Sequence, residues 1–238
     1  MRSPAVRRDG WAMVLLAAGL AMIAATRADE TGQAQNADHP RQPPPHSLEH
    51  AFPLEFDSEE IHLIVEPDSL TGQPGRTLVV DGTYRLVCHA ATGVMSLIYP
   101  FPADPRMGQA RPVRLEIRAP GGDWVPVEYA LLPNASGLRC RVPLLSVDTL
   151  EFHAVYRQEL IESYARYIVT TTRAWGKPLR RARFTVCLPA GMELAEASYP
   201  FAADTTAPAP RYAFLTEDFW PERDIVVEWR PAARPPGR

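Results

Sequence analysis

Apolar and polar side chains alternate along most of the chain beyond Ile61. Between Thr77 and His89, Leu78, Val80, Tyr84, Leu86 and Cys88 share one parity, and Thr77, Asp81, Thr83, Arg85 and His89 share the other. In the same way Val113, Leu115 and Ile117 alternate with Arg114, Glu116 and Arg118, and Leu138, Cys140, Val142 and Leu144 with Arg139, Arg141 and Pro143. A period of two with one wet face is the pattern of a half-buried strand. The same rhythm recurs less cleanly at 61–65, 94–99, 124–131, 149–156, 164–172, 182–188 and 225–229. These make about ten short strands. The separators are short and rich in proline and glycine, and no long helical stripe intervenes, so antiparallel hairpins explain the chain better than parallel crossovers. The expected fold is all-β, an antiparallel, immunoglobulin-like β-sandwich, with a barrel as the second choice.

Two segments qualify this pattern. Within 156–167, Leu160, Tyr164 and Tyr167 also sit at helical spacing, but Tyr167, Val169 and Thr171 continue an alternation that favours strand, turn, strand. Tyr99-Pro100-Phe101-Pro102-Ala103-Asp104 recurs as Tyr199-Pro200-Phe201-Ala202-Ala203-Asp204. Each proline keeps the preceding tyrosine extended, so both copies are expected to end a strand. Chance similarity accounts for the echo, and an internal duplication is the lesser reading.

The first residues change the picture. Arg2, Arg7 and Arg8 precede an apolar stretch at 11–25, and Thr26-Arg27-Ala28 offers a small-residue cleavage pattern, so 1–28 reads as a signal peptide cut after Ala28. Fifteen apolar residues at 1.5 Å each are too few for a roughly 30 Å hydrocarbon core, so membrane contact is expected only through this segment if it stays uncleaved. Residues 29–51 form a proline-rich tether in which His39, His46 and His50 read as solvated. The sandwich spans 52–231, with two small tandem sandwiches as the alternative, and 232–238 is a disordered tail. Losing four arginines and Asp9 with the signal takes the net charge from -3 to -6, which disfavours nucleic acid as a partner. The expected location is the periplasm or the exterior.

In an oxidising compartment the three cysteines allow one bridge. Cys88 and Cys140 lie on the apolar faces of their strands, whereas Cys187 shares its parity with Thr185 and Arg183. Either a Cys88 to Cys140 disulfide crosses the core, or all three remain reduced as small apolar side chains. Cys88 and His89 point to opposite faces, so no metal site is expected, and no cofactor motif is present. Lys177 is the chain's one lysine, which leaves little room for Schiff-base chemistry.

The best surface candidate is the basic segment 173–183, which is expected to form a hairpin at Gly176 and Pro178. Trp175, Arg173, Lys177 and Arg180 there would grip an acidic sugar, a lipid phosphate or an acidic protein tail. The competing reading packs Trp175 over the sandwich end and pairs the arginines with Glu217, Asp218 and Glu222. Glu59, Glu60 and Asp224 join those acids as a solvated rim. Asn134-Ala135-Ser136 is a formal glycosylation sequon.

Through Gly82-Thr83-Tyr84, Tyr99-Pro100-Phe101-Pro102, the run from Tyr167 to Trp175, Pro178-Leu179 and the strand from Phe184 to Pro189, the chain resembles a loosely defined group of exported bacterial β-sandwich proteins of unknown function. That resemblance implies fold and compartment, and it carries over no catalytic residue. The expected function is a non-catalytic binding or interaction module of the envelope, taking a protein, glycan or anionic lipid. The alternatives are an enzyme assembled from scattered acids and His62, His89 and His153, or a structural edge-strand partner.

Overall fold

The computed structural model describes residues 54–67, 74–89, 93–144 and 147–233. The signal segment, the tether with its three histidines, and residues 234–238 lie outside the described residues. In chain order the strands are β1 (Leu54–Pro67), β2 (Pro74–Cys88), β3 (Gly93–Pro100), β4 (Met107–Arg118), β5 (Val125–Pro126), β6 (Glu128–Leu131), β7 (Gly137–Leu144), β8 (Thr149–Leu160), β9 (Tyr164–Tyr167), β10 (Leu179–Cys187), β11 (Met192–Ala197), β12 (Ala202–Ala203), β13 (Arg211–Phe219) and β14 (Ile225–Pro231). Short 3-10 turns occupy Pro133–Ala135 and Thr170–Trp175. The fold is all-β, as the alternation predicts.

Eight strands form one sheet in the order β12-β13-β10-β1-β2-β8-β4-β5, and β11-β14-β9 and β3-β7-β6 form two sheets of three. This departs from the immunoglobulin partition into two sheets of similar size. It also corrects the purely antiparallel expectation, because β1 runs parallel to β10, with Ile61 opposite Phe184. Alternation reports which face a side chain takes and carries no information on a neighbour's direction. The longest strands, β1 and β2, reach 14 and 15 residues and are not short.

One core cluster draws on all three sheets. Tyr84 of β2 stitches them together, its hydroxyl lying 2.8 Å from that of Tyr99 on β3 and 2.8 Å from that of Tyr167 on β9. Room for this comes from Gly82, where a Cβ would stand 2.6 Å from the Tyr84 hydroxyl and 2.9 Å from Ile61 Cδ1. In β1 the pairing slips between Phe56 and Ser58. Leu54 and Phe56 point inward before the slip, and Glu59, Ile61, Leu63 and Val65 do so after it. Such a bulge inserts one residue and flips the parity of everything that follows.

The segment 156–167 is strand, turn, strand, as β8 and β9 show. The strand expected to reach residue 172 stops at Tyr167, however, and Thr170–Trp175 coils instead. Tyr99 and Pro100 end β3 as expected, whereas the second copy begins after β11 has ended at Ala197 and holds β12 within it, but the two copies finish alike. Asp104 Oδ1 accepts the Arg106 N–H and Asp204 Oδ1 accepts the Thr206 N–H, each at 3.0 Å, so each aspartate closes a local turn.

Candidate functional site

The basic segment is a connection between sheets and not a hairpin, since it leads from β9 in a small sheet to β10 in the large one. Gly176, at φ 73, closes its 3-10 turn by donating to Arg173 O at 3.0 Å. The turn is held from beneath by Asp224, the residue just before β14. Its Oδ1 accepts from Thr170 Oγ1 at 2.7 Å and from the N–H groups of Val169 and Thr170 at 3.2 Å each. Its Oδ2 accepts from Arg166 Nε at 2.9 Å and Nη2 at 2.7 Å. Asp224 is therefore a largely enclosed hub, its side chain 8% exposed, and not part of a solvated rim.

Each predicted binding residue has a definite place on this frame. Trp175 is half-buried, with its ring 4.9 Å from that of Phe56, so it serves the core as the competing reading expected. Lys177 reaches Glu55 at 3.0 Å, and Arg180 grips Asp57 with two bonds of 2.8 and 2.7 Å. Both acids belong to β1 and not to the 217–222 segment. The Arg180 hydrogen bond holds Asp57 below the ordinary carboxylate range despite partial burial. Burial lifts Glu55, but Lys177 and His89 outweigh it and bring it below its ordinary value. Arg173 alone of the four turns outward to an exposed aromatic: its guanidinium lies 5.5 Å from the ring of Trp220, which is 40% exposed. Sequence reasoning missed Trp220, whose one signal is an indole next to Pro221 within an acidic turn.

Behind Trp175 the interior holds an acid. Phe56 lies 5.7 Å from Tyr84, and Glu59 pairs across β1 and β2 with that tyrosine. Glu59 is 4% exposed, and neither of its carboxyl oxygens has a hydrogen bond of good geometry among the described residues, although the Tyr167 hydroxyl lies near enough to favour the ionised form. Burial wins, and the carboxyl is pushed up to about 8, so it holds its proton at neutral pH. The same burial raises the Tyr84, Tyr99 and Tyr167 hydroxyls well above their usual range. Glu59 thus leaves the expected solvated rim because of the β1 bulge, which no residue pattern announces.

The three histidines do not converge. His153 Nε2 meets Asp81 Oδ1 at 2.8 Å, and its Nδ1 lies 3.7 Å from Glu116. His62 is Asp81's cross-strand neighbour and lies 3.5 Å from Glu60, while His89 sits with Glu55 at 3.1 Å. Arg118 pairs with Glu151 and lies 4.2 Å from the Trp124 ring, which extends this charged network. Carboxylates occupy opposite nitrogens of His153, so they cannot share a metal through it. Among the described residues no group of three metal-ligating side chains is present.

Cys88, Cys140 and Cys187 stand as free thiols in the structure. Cys140 is packed into the core, where burial pushes its thiol up to about 12, while Cys88 is half-buried at the end of β2. Asn134 of the sequon is exposed on a turn at φ 57.

No protein-family model matches the chain, and no curated protein matches it. Among solved structures, a Legionella pneumophila protein provisionally named as nutrient binding superposes with a TM-score of 0.56 at 12% identity, covering 74% of this chain and 67% of that one. An M1 zinc metallopeptidase from Deinococcus radiodurans aligns with a TM-score of 0.40 at 13% identity, covering 74% of this chain and 42% of the peptidase. The chain thus spans less than half the peptidase's length. The Legionella likeness is one of fold.

Proposed function

We propose that the protein is an exported, non-catalytic β-sandwich module that binds a partner in the cell envelope. The observation that carries this reading is the Arg173–Trp220 pair, an exposed indole after β13 with a guanidinium 5.5 Å from its ring, the arginine standing on a turn braced by Asp224. Tryptophan and arginine dominate binding hot spots because each contributes a large contact area and directional charge at little loss of freedom when preorganised. A fold neighbour provisionally named for nutrient binding supports this use of the architecture. Export rests on the signal pattern at 1–28. The partner is a protein, glycan or anionic lipid, with Arg173 meeting its acidic group and Trp220 its apolar or sugar face.

Support for binding over catalysis comes from Glu59, the acid with the largest upward shift among the described residues, which is buried beside Tyr84 and Tyr167 and away from solvent. The test offers full-length protein to anionic vesicles, acidic polysaccharide and solubilised envelope proteins, with an Arg173→Ala/Trp220→Ala variant alongside. Retention lost in the variant, at an unchanged melting temperature, supports the reading. Equal retention by both proteins refutes this site.

A further inference from the structure

Residues 125–131 cross from the rim of the large sheet to the rim of a small one. Val125 pairs with Ile117, Val127 donates to Leu115 O at 2.9 Å, and β6 then pairs with β7. β6 is an edge strand, since β7 occupies only one of its sides. Tyr129 and Leu131 stand opposite Cys140 and Leu138, and so face the core side. Yet Tyr129 is 47% and Leu131 58% exposed, whereas Cys140 and Leu138 are buried. The opposite rim of the same sheet is closed, because Met95, Leu97 and Tyr99 of β3 are all buried.

The hydrogen-bond phase of β6 can be read from one contact. Leu132 N–H donates to Gly137 O at 2.9 Å, in register with the Leu131–Leu138 pair. Antiparallel bonding alternates, so Ala130 and Glu128 turn their backbone groups toward β7, and Tyr129 and Leu131 turn theirs to the free edge. On the outer face Glu128 lies 4.0 Å from Arg141. Arg139, opposite the small Ala130, has no ion pair among the described residues.

We propose that the free edge of β6 accepts an extended, antiparallel segment of another protein whose residues run apolar, acidic, apolar. Its two apolar side chains lie beside Tyr129 and Leu131 and complete the core at this rim. Its acidic side chain lies opposite Ala130, over which the Arg139 guanidinium reaches. Its backbone bonds to the N–H and C=O groups of Tyr129 and Leu131. This surface is separate from the Arg173–Trp220 pair and does not depend on it.

The experiment titrates labelled octapeptides of alternating valine and glutamate, or valine and lysine, with full-length protein by fluorescence anisotropy. The glutamate peptide is expected to bind about five-fold more tightly or better, since opposite charges across strands attract and like charges repel. Arg139→Glu should invert that order. Leu131→Pro removes an outward N–H while leaving the β7 ladder in place, and should abolish binding at an unchanged melting temperature. Binding of neither peptide, equal binding of both, or unaltered binding by Leu131→Pro overturns the proposal. So does light scattering that finds a dimer lost in Leu131→Pro, which would give the edge to a second copy of this chain.

Discussion

Replacing Glu59 by glutamine isolates the energetic cost of burying an acid. The folded carboxyl titrates at about 8, against an ordinary value of 4.5. Below 4.5 the group is neutral in both states and costs nothing electrostatically. Between the two values the unfolded chain releases the proton and the folded protein keeps it, so stability falls as pH rises. Each unit is worth about 1.4 kcal/mol, which sums to about 5 kcal/mol by pH 8, and above that both states ionise and the loss levels off. Glutamine has the same shape and no titration, although its amide also lacks partners and costs about 1–3 kcal/mol at every pH. Denaturant unfolding of both proteins from pH 4 to 9 should therefore yield two curves whose difference slopes in favour of the variant between 4.5 and 8. Other ionising groups cancel in that difference. Parallel curves would refute the claim that Glu59 is held neutral.

Four further outcomes follow from the packing. Asp224→Ala removes every acceptor for Arg166, Val169 and Thr170, and should cost about 3 kcal/mol in chemical denaturation while speeding proteolysis within 170–176, because a nearly buried charge partner is lost. Trp175→Ala should lower stability by about 2–3 kcal/mol, against about 0.5 kcal/mol or less for Trp220→Ala, which separates the core indole from the surface one. Gly82→Ala forces a methyl against the Tyr84 hydroxyl and should cost about 2 kcal/mol, seen as a lowered melting temperature. Reduction should leave the intact mass unchanged, and alkylation of the native protein should modify Cys88 and Cys187 before the buried Cys140.

Alternation made much of the large sheet legible. Leu78, Val80, Tyr84 and Leu86 on β2, and Leu115 and Ile117 on β4, all face inward as their parity predicts. β13 was missed because Arg211 to Glu217 shows no burial alternation, and Asp218 at φ 48 breaks the strand's regularity before Phe219. β11 was missed because Met192, Glu193, Leu194 and Ala195 read equally as helix formers. The basic segment was visible as composition, but its partners were not. Glu55 and Asp57 lie more than a hundred positions from Lys177 and Arg180 in the chain, and only the parallel pairing of β1 with β10 brings them together. Glu59 and Asp224 were hidden for another reason. A bulge and a cluster of five hydrogen bonds decide their burial, and neither leaves a mark on residue type.

The parallel union of β1 and β10 also sets the order in which the chain can assemble. Pairing of β1 with β2 closes a short connection, but Ile61 meets Phe184 only after nearly all the intervening chain has been placed. Contacts of such long sequence separation slow folding, because the entropy of closing the loop is lost before any pairing compensates it. Until β10 arrives, β1 presents a long unpaired flank alongside Ile61, Leu63 and Val65, and that flank can recruit a neighbouring nascent chain. A chain terminated before Leu179 would keep this flank open permanently, and aggregation, more than loss of any binding face, would be its fate.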